Sequence, residues 1–199
     1  MPRRKNPYAS PDQFTRAAKR AGFPARSVFK LEEIDRRTRL FRGGMRVLDL
    51  GAAPGSWLLY AAQRIGPAGK LLGADCMPLA IALPPNAAFV EGDVLSLDEA
   101  ALGRFAPYDV VLSDLAPKTT GSRVTDQARS FELFMRALQL AVRLGIVGGA
   151  FVGKIFMSDD LPLARNELTR HYASERLIRP EGTRAASTEI FAVASGKRA

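Results

Sequence analysis

Seven short apolar runs alternate with amphipathic stretches along this chain, and the last two runs break the alternation. The runs are MRVLDLG (45–51), KLLGAD (70–75), AAFVEGD (87–93), YDVVLSD (108–114), GAFVGKIF (149–156), SERLIRP (174–180) and TEIFAVASG (188–196). Helical patterns fill the gaps at 56–65, 95–103, 125–146 and 160–172, and two more precede the first strand at 11–21 and 26–41. A strand followed by a covering helix returns parallel to its predecessor, so this order predicts an α/β fold with a mostly parallel sheet and helices on both faces. Only the short RPEGTRAAS connection separates the last two runs, which leaves no room for a helical crossover and predicts an antiparallel hairpin. The expected sheet is therefore seven-stranded and doubly wound, with a reversed strand near its edge.

A chain of 199 residues suits one domain with a substantial core. Within it we expect a basic N-terminal helical extension (1–44) and a core (45–199). Hydrophobic residues at 47% and charged residues at 25% exclude a disordered or collagen-like chain. One cysteine, Cys76, and one histidine, His171, exclude an internal disulfide and a multi-thiolate or His-rich metal site. Both read as structural residues. No run is long and apolar enough to span a bilayer, and the N-terminus lacks the apolar core of a secretory signal, so a cytoplasmic protein with no membrane partner is expected.

Charge is unevenly distributed. Residues 1–46 hold 13 Lys+Arg against 4 Asp+Glu, net +9, whereas the remainder holds 16 of each. A solvated basic face is the plainer reading, but a segment built to meet a polyanion such as nucleic acid explains why the rest is balanced. Arg3, Arg4, Lys19, Arg20 and Arg26 are its candidate phosphate contacts.

The turn after the first strand, VLDLGAAPGSW, lies where open α/β sheets bind ligands. Gly51 and Gly55 allow close backbone approach, and Ala52 and Ala53 keep the surface small. A P-loop lysine is absent, which argues against a nucleoside triphosphate. Asp75 follows the second strand, where an acid suits a ribose diol, and Asp93 follows the third, where an acid suits an adenine amino group. NAD and S-adenosylmethionine share these needs. Pro54 removes an N–H from the turn that would cradle a pyrophosphate, which favours the methyl donor.

At this point the sequence resembles the FtsJ-like ribose 2′-O-methyltransferases, over nearly its whole length. The matching segments are ARSVFKLEEID around Lys30, DLGAAPGSW at 49–57, SDLAPKTTG around Asp114, FVGKIF around Lys154 and STEIFAVASG around Glu189. The resemblance implies a Rossmann-like S-adenosylmethionine-dependent fold and a catalytic tetrad of Lys30, Asp114, Lys154 and Glu189. It also implies donor binding by Gly55, Trp57, Asp75, Asp93 and Asp114. The implied reaction is methyl transfer from S-adenosylmethionine to the 2′-hydroxyl of a uridine in large-subunit (23S) ribosomal RNA, by a monomer and without a metal.

Read from the residues alone, Lys154 stands in an apolar strand, where a lysine is costly unless paired, and Asp114 ends the fourth strand beside the expected pocket. Lys30 and Glu189 would each pass for surface residues. Together the four supply two cations and two anions that can neutralise one another in one cleft. Lys154 then either takes the hydroxyl proton as a neutral amine or positions the oxygen as an ammonium, with Asp114 orienting it. Trp57 is expected near the methionine end of the donor, core packing or stacking on RNA being the alternatives, and Lys118 is expected in a loop over the pocket. The rival functions are methylation of transfer RNA, an RNA-binding protein that keeps the fold without catalysis, and NAD-dependent reduction.

Overall fold

In the computed structural model, residues 13–184 and 187–199 are described. Two helices, α1 (Gln13–Arg20) and α2 (Val28–Thr38), come first. They are followed by β1 (Arg46–Leu50), α3 (Ser56–Ile65), β2 (Lys70–Asp75), β3 (Ala87–Glu91), α4 (Glu99–Leu102) and β4 (Tyr108–Ser113). The chain ends with α5 (Arg123–Leu144), β5 (Gly145–Phe156), α6 (Leu161–His171), β6 (Tyr172–Ile178) and β7 (Glu189–Lys197). Among the described residues no helix is long and apolar enough to cross a membrane.

The seven strands form one sheet in the order β3-β2-β1-β4-β5-β7-β6. β3, β2, β1, β4 and β5 pair in parallel. β7 runs antiparallel to both of its neighbours, so the expected hairpin forms and its second strand enters between β5 and β6. Strand order reverses between β1 and β4, which opens a crevice at their carboxyl ends.

Alternate residues of each strand serve two cores. Leu48 and Leu50 join Phe134, Leu138, Phe151 and Leu168 on the α5–α6 face. Val47 and Leu112 join Leu31, Ile34, Trp57 and Leu58 on the α2–α3 face. Helix α2 is thus built into the second core through its apolar face while its arginines stay outside. Element boundaries shift where tertiary context overrides pattern. The helix expected at 95–103 shrinks to a single turn capped by Asp98, and β5 begins at Gly145, directly after α5.

Candidate active site

A cleft of about 660 Å³ opens at the carboxyl edge of β1, β2 and β4. Three acids at strand ends line it: Asp75 as the last residue of β2, Asp93 after β3 and Asp114 after β4. Apolar side chains of Met77, Val94, Leu95 and Leu133 complete the walls. Such a set fits a cationic donor that carries a ribose diol and a flat base, because the carboxylates accept from hydroxyl and amino groups while the apolar walls cover ring faces. A second hollow, of about 380 Å³ between α3 and the Pro84–Asn86 turn, has no acid among its lining residues and lacks these acceptors.

The two cleft acids at the ends of β2 and β3 also shape their own turns. Asp75 accepts from the Ala53 N–H at 2.9 Å and the Met77 N–H at 2.9 Å, which ties the β1–α3 turn to the end of β2. Asp93 accepts from the Leu95 N–H at 3.0 Å. Each carboxylate has further lone-pair directions for a ligand.

The glycines of the turn serve the protein's own packing. Gly51 has φ +83°, and a Cβ there would lie 2.8 Å from the Leu115 nitrogen. Gly55 has φ +114°, and a Cβ there would meet the Ile81 side chain at 2.6 Å. A Cβ at these positions would meet the β4 exit or Ile81, and Gly51 also lines the cleft. Only glycine combines that φ with that approach.

Residue register brings Asp114 and Lys154 side by side. The parallel pairing of Ser113 with Gly153 places the next residues, Asp114 and Lys154, at the same level of adjacent strands. Lys154 Nζ lies 2.9 Å from Asp114 Oδ1 and donates to the Asp114 carbonyl at 2.7 Å. Its side chain is 7% exposed, and the pair meets the cost of burying an ammonium. Across the β5–β7 pairing Lys154 faces Phe191, and Glu189 begins the same strand. Glu189 is ion-paired with Lys30 from the first turn of α2, and Lys30 Nζ sits 5.8 Å from the Phe191 ring centre. The four side chains thus form two ion pairs on the adjacent strands β5 and β7, and Asp114 belongs both to one pair and to the lining of the cleft.

Trp57 is placed elsewhere. Its indole lies in the α2–α3 core, 5.5 Å from the Phe191 ring, and its Nε1 donates to the Ser27 carbonyl at 2.8 Å. The indole docks α2 onto α3, and its side chain is not among those that line the cleft. Ser56 reinforces that docking by accepting from the Ala25 N–H and donating to the Ala25 carbonyl. Gly55 caps α3 and Trp57 lies in its first turn, a few residues after Ala53 of the cleft lining.

Lys118 is exposed on the loop between β4 and α5 and lines the cleft. Asp126 in the first turn of α5 anchors this loop by accepting from the Thr120 N–H at 2.8 Å and its hydroxyl at 2.9 Å. The main-chain bond first, and then the hydroxyl, hold the Asp126 carboxyl below its ordinary range against its partial burial. Of the basic candidates, Lys19 and Arg20 are exposed at the end of α1, and Arg26 donates to the Gly182 carbonyl. Arg3 and Arg4 lie outside the described residues.

Asp49 is a feature that the sequence pattern leaves unmarked. It is fully buried in β1, and neither carboxylate oxygen has a hydrogen-bond partner among the described residues. Burial, then the charges of Asp114 and Asp75, push its carboxyl well above the usual range. An acid inside the apolar run RVLDL is the available signal, the same one that marks Lys154. Arg129 and Glu132 of α5 also line the cleft, on a helix whose pattern marks only an ordinary polar face.

A doubly wound sheet with its last strand reversed between β5 and β6, and an acid-lined cleft at the switch point, define a Rossmann-like methyltransferase. The family described as FtsJ-like methyltransferase matches residues 23–197, and the chain belongs to that family. A ribosomal RNA large subunit methyltransferase E of Sorangium cellulosum is 64% identical over 195 residues, 98% of this chain and 92% of its own. The protein of the same name from Nitratidesulfovibrio vulgaris (strain DSM 19637 / Miyazaki F) is 47% identical over 190 residues, 94% of each chain. A ribosomal RNA methyltransferase structure from Plasmodium falciparum superposes with a TM-score of 0.73 at 22% identity, covering 87% of this chain and 97% of its own, and shares the fold.

Proposed function

We propose that this protein transfers a methyl group from S-adenosylmethionine to the ribose 2′-hydroxyl of a uridine in large-subunit ribosomal RNA. The observation that carries the reading is the double position of Asp114, which lines the donor cleft and holds Lys154. A group at the end of the donor site and a group able to handle a hydroxyl are thereby joined in one residue. The names of the most similar relatives support ribosomal RNA as the substrate.

S-adenosylmethionine, when bound, supplies an electrophilic methyl group on a sulfonium. Asp75 would accept from its ribose hydroxyls, Asp93 from its base, and the main chain of Gly55 and Trp57 would serve its carboxylate end. As an ammonium Lys154 donates to the Asp114 carbonyl and is ion-paired with the Asp114 carboxylate, which leaves donor capacity for the substrate 2′-oxygen. In that role Lys154 orients the oxygen and stabilises negative charge while the hydroxyl proton passes to solvent; as a neutral amine it takes the proton itself. The Lys30–Glu189 pair, two residues along β7 from the strand partner of Lys154, would position the acceptor ribose. Much of the rate comes from alignment, worth about 7–11 kcal/mol at best.

The test is labelled-methyl transfer to large ribosomal subunits from cells lacking the modification, with free ribosomal RNA and transfer RNA in parallel. The expected product is a single ribose-methylated uridine in the large-subunit RNA. Label only in transfer RNA, or in none of the three, overturns the reading.

A further inference from the structure

At the opposite edge of the sheet from the cleft, a hollow of about 230 Å³ is lined by Thr38, Arg39, Arg42, Asp109, Arg176 and Ser195. The arginines come from the end of α2, the segment after it, and β6. All three are exposed. Several other exposed arginines are paired, Arg37 with Glu33, Arg64 with Asp35, Arg143 with Glu99 and Arg165 with Glu175. The guanidiniums of Arg39, Arg42 and Arg176 make no ion pair or hydrogen bond among the described residues. The single carboxylate in the lining, Asp109, is engaged by the Arg46 N–H at 2.7 Å.

Arg39 has a second distinguishing feature. It caps α2 at φ +54°, the one non-glycine residue with positive φ among the described residues. Such a backbone costs of order 1–3 kcal/mol, and glycine or asparagine would adopt it more easily. Arginine here places a charge at the rim of the hollow at the expense of that strain.

Helix α2 connects this hollow to the reaction site. Lys30 is in its first turn and Arg39 at its end, roughly 13 Å apart at about 1.5 Å per residue. At a rise of about 3.4 Å per nucleotide that distance spans roughly four nucleotides. The exposed Arg36 lies between the two ends. We propose that Arg39, Arg42 and Arg176 form a second phosphate site, which grips the RNA backbone about four nucleotides from the methylated ribose. The proposal rests on RNA being the substrate. A polynucleotide is the partner because unpaired guanidiniums match phosphate geometry and because the site continues along the helix that carries Lys30.

The test uses the full chain carrying Arg39→Asn and Arg176→Gln, asparagine being compatible with the backbone at 39. Arg176→Gln alone, on an edge strand, is the second variant should the double one be unstable. Methylation of large ribosomal subunits lacking the modification is followed across a salt series. The expected result is a several-fold rise in KM for subunits with kcat and S-adenosylmethionine affinity unchanged. The slope of log kcat/KM against log salt should flatten by roughly one unit for each phosphate no longer neutralised. An unchanged KM and slope, with the native protein active, overturns the second site alone. A native protein that methylates no RNA overturns both this site and the substrate reading. Inorganic phosphate is added separately: if it raises the thermal midpoint of the native protein but not of the variant, while KM stays unchanged, the hollow is a small-anion site and the RNA contact is overturned.

Discussion

Lys154 Nζ contacts Asp114 twice, at the carboxylate (2.9 Å) and at the main-chain carbonyl (2.7 Å), from a strand register that puts the two residues level. Removal of the amine leaves Asp114 beside the open cleft, where water can replace it, so Lys154→Ala should fold and bind S-adenosylmethionine nearly normally. Methyl transfer should fall about a hundredfold or more, the usual scale for removal of an acid–base or positioning group. Lys154→Arg should not restore it, because a planar fork cannot reproduce a point contact to two oxygens of one residue and a third on the substrate. Single-turnover assays with calorimetric donor titration decide the matter, and near-normal transfer by Lys154→Ala removes the residue from the mechanism.

Asp75 holds two main-chain N–H groups and is the proposed acceptor for a ribose diol, so its replacement should be felt in both donor affinity and stability. Asp75→Ala should weaken S-adenosylmethionine binding at least tenfold. Removing the two turn hydrogen bonds, together worth about 2 kcal/mol, should lower the thermal midpoint by about 4–8 °C without abolishing folding. Titration calorimetry and a melting curve measure the two effects; unchanged affinity with a lowered midpoint would reduce Asp75 to a turn residue.

The Lys30–Glu189 ion pair is mostly buried, with side-chain exposures of 12% and 13%. Breaking it from either side leaves an uncompensated charge, so Glu189→Gln and Lys30→Ala should each destabilise by about 1–3 kcal/mol. The double variant should cost less than the sum, because the second change removes the charge that the first left unpaired. Urea unfolding of the four proteins measures the coupling. Strict additivity would show that the two side chains act independently.

The parts of the site that are legible in the sequence are those whose chemistry is out of place locally. A lysine in FVGKIF and an acid at a strand end next to a proline-containing turn stand out against an apolar background, and the fold brings both together. The hairpin is legible from connection length, but the entry of β7 between β5 and β6 is a tertiary choice with no local marker. The direction of the Trp57 indole is not legible from spacing, because a helix-start residue presents its main chain to one side and its side chain to another. Arg39 and Arg176 look like ordinary surface charges, because only the sheet brings them to one hollow.

Asp49 offers a test of the electrostatics under the cleft. Its carboxyl is buried, unpartnered among the described residues and close enough to Asp114 and Asp75 to feel their charge, so its protonated form is favoured in the folded chain. In the unfolded chain the group titrates near the ordinary value of about 3.9. Above that pH the folded state therefore binds more protons than the unfolded state, and stability falls as pH rises from about 4 towards the raised folded value. Asp49→Asn removes the titration while nearly keeping the shape. The variant should gain stability relative to the native protein as pH increases, with the difference smallest near pH 4. Urea midpoints at pH 5, 6, 7 and 8 give the comparison. If the two proteins keep a constant difference across that series, Asp49 does not titrate there, and the charge of Asp114 and Asp75 is screened from it more completely than the buried geometry implies.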